Sequence, residues 1–445
     1  MKHLKRTSVL AVGAALASGI MLFGACTPTQ EPVDESVYTL SAKTESCTLL
    51  VGNEKYASAT TSFVAKKDGE TVETPAITYT VADPSVAEVS TDGVVTPKAY
   101  GKTDVIATYK TATARVPVYV YERTTAENVN SFDELYVNRY GRQYFTEGKL
   151  NVDNVSSGIE VAFFSDSLTV DVTVTNDVYV HVYVDGDTTG EFKKLTQGTF
   201  TLAENLGEGI HTVRMLKASE GDRGKFTVNA FHADEFLRIP EKSDLKMEFI
   251  GDSITAGYGN LAAPGSTWSV ENSDGCASYA ALTAQQLNAD FSVIALSGIC
   301  LNVDRWGAGI NMTQLHSYIS YRNRDSYTYD ADMDVVVLAL GTNDASYINS
   351  TSFAYRKQFP IDYAAFLRHL RTIYPNAYVV CIYGMMGADP NIRNGIQQAL
   401  EEVNDAKMSY KAFNSNTSGA NGHPNAKAHV QYAKDFTAYI QDLIG

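Results

Sequence analysis

Apolar and polar residues alternate with a period of two over most of residues 37–240, and after Leu245 the pattern changes to apolar runs separated by helix-period stretches. The first kind of pattern predicts half-buried strands, whose side chains point alternately to the two faces of a sheet. It is clear at Ala76-Ile77-Thr78-Tyr79-Thr80-Val81, Ala87-Glu88-Val89-Ser90 and Asp104-Val105-Ile106-Ala107-Thr108-Tyr109, with turns at Asp83-Pro84-Ser85 and Thr91-Asp92-Gly93. It resumes at Ser167-Leu168-Thr169-Val170-Asp171-Val172-Thr173-Val174 and Val178-Tyr179-Val180-His181-Val182-Tyr183-Val184, followed by the hairpin turn Asp185-Gly186-Asp187. Residues 211–216 and 225–228 continue it. His181 and His211 fall inside these patterns, where a histidine on a strand face is expected rather than a metal ligand.

From Leu245 the apolar runs are 246–250, 292–296, 334–340, 378–383 and a weaker fifth near 410–413, with helical patterns near 278–288, 361–373, 392–405 and 426–443. Strands alternating with helices predict a parallel sheet covered on both faces. The expected architecture is therefore multidomain. An all-β unit spans residues 37–121, a jelly-roll-like β-sandwich spans 122–240, and a three-layer α/β domain spans 241–445.

The first β unit carries Ala82-Asp83-Pro84-Ser85-Val86-Ala87, Gly93-Val94-Val95-Thr96 and Ala99-Tyr100-Gly101. This text resembles group 2 bacterial immunoglobulin-like domains, which implies a spacer or adhesion module and no chemistry.

Composition narrows the partners. The 445 residues are 44% hydrophobic and 20% charged, which excludes a disordered, collagen-like or polytopic membrane protein. Net charge is −15, so phosphate backbones and anionic membranes are repelled and nucleic acid is not an expected partner. The 27 tyrosines suit both strand surfaces and sugar stacking.

The N-terminus reads as an address. Lys2, Lys5 and Arg6 precede the apolar run Val9 to Phe23, the layout of a secretory signal peptide over residues 1–25. Leu22-Phe23-Gly24-Ala25-Cys26 is similar to a bacterial lipobox, with Phe23 where Leu is usual, and the polar text Thr27 to Pro32 follows within an expected tether over residues 26–36. The resemblance implies lipidation at Cys26 and a secreted, cell-surface lipoprotein touching the membrane only through that anchor; ordinary cleavage and release is the alternative. Cys47, Cys276, Cys300 and Cys381 form no CxxC pair and no metal spacing, so buried free thiols are expected, with a Cys276–Cys300 bridge as the alternative.

The candidate chemistry lies after the strands of the α/β domain, where open sheets of this kind bind ligands. Gly251-Asp252-Ser253-Ile254-Thr255 follows the first strand, Ser297-Gly298-Ile299-Cys300 the second, and Gly341-Thr342-Asn343-Asp344 the third; Gly422-His423-Pro424 precedes the last helix. Each fragment alone reads as a good turn or helix entry. Together and in this order, Ser253, Gly298, Asn343 and His423 match the pattern of the SGNH (GDSL-type) hydrolases over residues 245–445. The resemblance implies Ser253 as nucleophile, His423 as its base, and an oxyanion hole from Ser253 N–H, Gly298 N–H and the Asn343 amide. The chemistry requires such groups, because a serine hydroxyl is a weak nucleophile without a base and the tetrahedral intermediate carries a developing oxyanion. Many relatives place an Asp three residues before the His; here Ala420 stands there.

A β-sandwich directly before such a domain, with Gly141-Arg142-Gln143-Tyr144 and Ser157 to Phe164, resembles carbohydrate esterase family 2 over residues 128–445. That resemblance implies removal of acetyl groups from plant polysaccharides of the xylan or glucomannan type, without metal or cofactor. Its histidine would be oriented by a main-chain carbonyl in place of the missing acid. Tyr258, Trp268, Trp306 and Tyr383 are candidates for a sugar platform, with core or rim packing as the alternative. Other readings are an SGNH lipase or thioesterase, and a catalytically dead surface glycan-binding or adhesion protein.

Overall fold

The structure is a computed structural model, and it describes residues 36–123, 128–129, 137–241, 243–307 and 309–445. The stretches expected to be a signal peptide and a lipid-anchored tether, with Cys26, lie outside these residues except for Ser36. Among the described residues, no helix is long and apolar enough to cross a membrane.

The expected α/β domain carries five parallel strands: β1 (Lys246–Gly251), β2 (Asp290–Ala295), β3 (Val335–Ala339), β4 (Tyr378–Tyr383) and β5 (Met408–Ala412). Their spatial order is β2-β1-β3-β4-β5. The helices are α1 (Tyr279–Gln286), a single turn α2 (Met312–Leu315), α3 (Thr342–Ser350), α4 (Phe359–Ile373), α5 (Pro390–Val403) and α6 (Ala426–Ile444). Alternate residues of the strands serve two separate cores, as a sheet covered on both faces requires. Met247, Phe249, Val293 and Val337 pack with α1 and α6, whereas Ile250, Ile294, Val336 and Leu338 pack with α4 and α5.

One element differs from expectation. Gly341-Thr342-Asn343-Asp344 reads as a turn in sequence, but helix α3 starts at Thr342. The helix is polar and short, and only Asp344, Ala345 and Ile348 are buried, so no long apolar stripe announces it.

The two β units are joined more closely than their separate patterns suggest. The long strand Ala112–Arg123 pairs with Phe236–Arg238, Glu122 opposite Arg238, so one sheet runs on from the first unit into the sandwich. The 121/122 boundary therefore falls near the end of a single strand. The second sheet of the sandwich contains Lys149–Val152, Leu168–Asn176, Gly198–Ala203 and Gly224–His232. An apolar core including Val161, Phe163, Val172, Phe226 and Phe231 fills the space between them. His181 and His211 do sit on strands, each bonded to an aspartate: His181 Nε2 to Asp274 at 2.5 Å and His211 Nδ1 to Asp185 at 2.7 Å. Cys47, Cys276, Cys300 and Cys381 are all free and buried, so Cys276 and Cys300 are not bridged.

Arg142 of the sandwich reaches into the hydrolase sheet. Its guanidinium has no exposed side-chain surface and bonds Glu248 of β1 at 2.7 Å, His316 O at 2.6 Å and Tyr318 O at 2.8 Å. His316 Nε2 and Tyr374 Oη also reach Glu248, at 3.0 and 2.7 Å. Burial by itself would raise the Glu248 carboxyl, but Arg142, His316 and Tyr374 together hold it well below the usual carboxylate range. The Gly141-Arg142-Gln143-Tyr144 text thus marks a buried lock between domains.

Candidate active site

The strand order reverses direction at β1, and the loops after β1, β2 and β3 open side by side at the carboxyl edge of the sheet. This brings together Ser253, Gly298 and Asn343, separated by up to 90 residues in sequence. Ser253 sits in the turns that follow β1 and is 5% exposed, so its hydroxyl lies within the fold rather than on an open surface.

His423 arrives from the far end of the chain. Its Nε2 lies 2.8 Å from Ser253 Oγ, and its Nδ1 lies 3.2 Å from Ala420 O. A carbonyl can only accept, so Nδ1 carries the proton and the lone pair of Nε2 faces the serine hydroxyl. Ala420 itself has no exposed surface, and its methyl packs on Gly259: a Cβ added to Gly259 would lie 2.3 Å from it. The main chain at the position of the missing acid therefore supplies the orienting contact. Ala420 N–H donates to Gly259 O at 3.0 Å and Ala426 N–H to Asn260 O at 2.8 Å, so the histidine loop is latched to the turns that follow Ser253. Burial lowers the pKa of His423 below its ordinary value, against the opposing backbone contacts at Ala420 and Asn421.

Asn343 is the second residue of α3. Its Nδ2 donates to Ile299 O at 3.0 Å, which uses one amide hydrogen and leaves the other for a ligand. Gly298 has φ +82°, a conformation that disfavours side chains, and a Cβ there would come within 2.8 Å of Trp306 Cδ1. Asp344, which the sequence reading passed over, accepts from Leu301 N–H at 3.1 Å. It is fully buried, and desolvation pushes its carboxyl up to about 7. Its place immediately after Asn343 was the signal that could have found it.

The aromatic candidates separate. Tyr258 lies against His423, ring centroids 4.3 Å apart, and Trp268 stacks on Tyr258 at 5.4 Å. Trp306 is 61% exposed beside Gly298, with Arg305 4.2 Å over its ring. Tyr383 does not join them. It ends β4 beneath the surface, 6% exposed, its hydroxyl accepting from Asp389 N–H at 3.2 Å, so it has no ring face to offer a sugar.

A serine–histidine pair at the mouth of a five-stranded parallel sheet, beside a glycine and an asparagine from the neighbouring strand ends, defines a GDSL-type hydrolase domain. Residues 249–429 match the GDSL-like lipase/acylhydrolase family, residues 140–240 the carbohydrate esterase 2 N-terminal domain, and residues 45–120 the group 2 bacterial Ig-like domain. The chain carries these three domains, and its relatives are family 2 carbohydrate esterases. It is 30% identical over 305 residues to the cellulase/esterase CelE of Acetivibrio thermocellus, covering 65% of this chain and 37% of that protein. It is 27% identical over 186 residues to an acetylxylan esterase/glucomannan deacetylase of Cellvibrio japonicus, covering 39% of this chain and 51% of that protein. The chain thus spans about half or less of the length of these two curated relatives. Among solved structures, a family two carbohydrate esterase from Clostridium thermocellum in complex with cellohexaose superposes with a TM-score of 0.64. It is 28% identical, and the match covers 69% of this chain and 99% of that one.

Proposed function

We propose that this protein removes O-acetyl groups from plant polysaccharides of the xylan or glucomannan type through a Ser253–His423 dyad. The observation that carries this reading is the pair of contacts on one imidazole: Nε2 on Ser253 Oγ, and Nδ1 on the Ala420 carbonyl. Ser253 Oγ attacks the acetyl carbonyl as its proton passes to Nε2. The oxyanion of the tetrahedral intermediate is held by Ser253 N–H, Gly298 N–H and the free hydrogen of the Asn343 amide. Collapse breaks the bond to the sugar oxygen, which leaves with the proton from Nε2. Water then attacks the acetyl-serine, its proton passing to Nε2 and on to Ser253 Oγ as acetate departs. The cellohexaose complex of the Clostridium thermocellum structure and the deacetylase relative support a β-linked glycan as the substrate backbone. Trp306, exposed beside Gly298, is the residue we propose to stack on it, with Tyr258 and Trp268 walling the histidine side.

The decisive test is acetate release from acetylated xylan and glucomannan, with acetyl and octanoyl aryl esters alongside. Wild type should prefer acetyl, and Ser253→Ala should be inactive and folded. Activity surviving in Ser253→Ala, or a preference for octanoyl, would remove the reading. We further propose secretion and lipid anchoring at Cys26, which metabolic palmitate labelling should detect in wild type and not in Cys26→Ser.

A further inference from the structure

The loop that carries Gly298 is held from outside the hydrolase domain. Ser297, immediately before Gly298, donates its N–H to Glu220 Oε2 at 2.9 Å and its hydroxyl to Glu220 Oε1 at 2.6 Å. Glu220 is 1% exposed and belongs to the sandwich, in the loop between strands Ile210–Lys217 and Gly224–His232. That loop is itself firmly built. The fully buried Lys217 ammonium donates to Ser219 O at 2.5 Å and Glu220 O at 2.7 Å. Arg322 donates to Gly221 O at 2.8 Å and Asp222 O at 2.9 Å. On the other side of Gly298, Asn343 holds Ile299 O, and Asp344 holds Leu301 N–H. Gly298 is therefore bracketed, and the side chain that holds Ser297, immediately upstream, comes from the sandwich.

A carboxylate is a costly way to fill a buried interface, and it is tolerated only where hydrogen bonds replace its water. Both of the Ser297 contacts made by Glu220 are to the residue next to Gly298. Restraining the N–H and the hydroxyl of Ser297 restrains its φ and χ1, and so the direction from which the next peptide, with the Gly298 N–H, is presented. We propose that Glu220 is a positioning residue for the oxyanion hole, and that the sandwich is consequently a working part of the active site; this rests on the Ser253–His423 reading above. Burial, with the neighbouring Asp222, pushes the Glu220 carboxyl up to about 7. The clamp tolerates protonation, because Ser297 Oγ can accept as well as donate. For the same reason Gln can stand in for Glu, its amide oxygen taking the N–H and its amide nitrogen donating to the hydroxyl.

The test uses the full chain and an acetyl aryl ester, with kcat and KM measured separately for wild type, Glu220→Ala, Glu220→Gln, Ser297→Ala and Ser253→Ala. A second readout is the rate of inactivation by an aryl phosphonate, whose phosphoryl oxygen takes the oxyanion position. A whole oxyanion donor is worth about 10²–10³ in rate, so misaligning one should cost about 10–100-fold. Glu220→Ala should lose that much in kcat and in phosphonylation rate together, with KM changed little. Glu220→Gln should recover most of the loss. Ser297→Ala, which removes one of two contacts and leaves the carboxylate in place, should fall between Glu220→Ala and wild type. Wild-type kcat and phosphonylation in Glu220→Ala or Ser297→Ala, whatever happens to thermal stability, would reduce Glu220 to interface packing. Activity retained in Ser253→Ala would instead overturn the underlying dyad.

Discussion

Asn343→Ala gives the sharpest test of the oxyanion assignment, because the structure separates two roles of one amide. One hydrogen of Nδ2 is engaged with Ile299 O at 3.0 Å in the resting site, and the other is available to the substrate. Loss of the first is a ground-state effect of about 0.5–1.5 kcal/mol on stability, typical of an intramolecular hydrogen bond. Loss of the second removes an interaction that strengthens as the carbonyl oxygen becomes charged. Single donors of this kind cost about 10²–10³ in kcat, equivalent to about 2.7–4 kcal/mol of transition-state binding. Since the ground-state carbonyl gains little from the donor, KM should move by less than about three-fold. The assay is steady-state hydrolysis of an acetyl aryl ester over a full substrate range, with a thermal melt of the same preparation to show that the fold persists. A KM that rises ten-fold or more at unchanged kcat would refute the reasoning and make Asn343 a ground-state substrate contact. A melt that collapses would show that the Ile299 bond was undervalued.

Three further outcomes follow from the same structure. Asp389 caps α5 and bonds Asn349, Glu402 bonds Arg368, and Asp405 bonds Arg371, so none of these carboxylates is engaged with His423. Their Ala variants should keep most of the wild-type kcat/KM while His423→Ala loses nearly all of it; one of them as inactive as His423→Ala would establish a displaced triad. An adjacent carboxylate would raise an imidazole pKa, whereas burial lowers that of His423. The base is active when neutral, so kcat/KM should hold as pH falls through 6.5 and fail only at more acid pH; an acid limb centred above 6.5 would contradict the dyad. Arg142→Ala leaves Glu248 buried without its cation, and such uncompensated charges cost about 3–5 kcal/mol. Urea unfolding should show that loss, and a variant as stable as wild type would mean that the lock carries no net stability.

The sequence by itself determined most of the strands and helices and the set of candidate reacting groups. Alternation in Leu168–Asn176 and the apolar runs of the hydrolase strands specify elements because side-chain period follows backbone geometry, independent of distant partners. Ser253, Gly298, Asn343 and His423 were legible for a related reason: each must sit at a strand end or helix entry with a particular chemistry, and that leaves a short, ordered text. What the fold alone decided are relations between segments. Ala420 reads as a missing acid, and only the turn Ala420–Gly422, seated on Gly259, shows a main-chain carbonyl in its place. Every residue has such a carbonyl, so no residue type can announce it. Tyr383 and Trp306 look alike in sequence as aromatic candidates, yet one is buried under Gly341 and the other exposed over Gly298. Aromatic side chains suit a core and a sugar surface equally well, and packing alone chooses between them. Glu220 lies 77 residues before Ser297 in another domain, with no period or motif to connect them. Its role exists only once the sandwich is docked on the hydrolase, because a hydrogen bond depends on distance in space and not on separation along the chain.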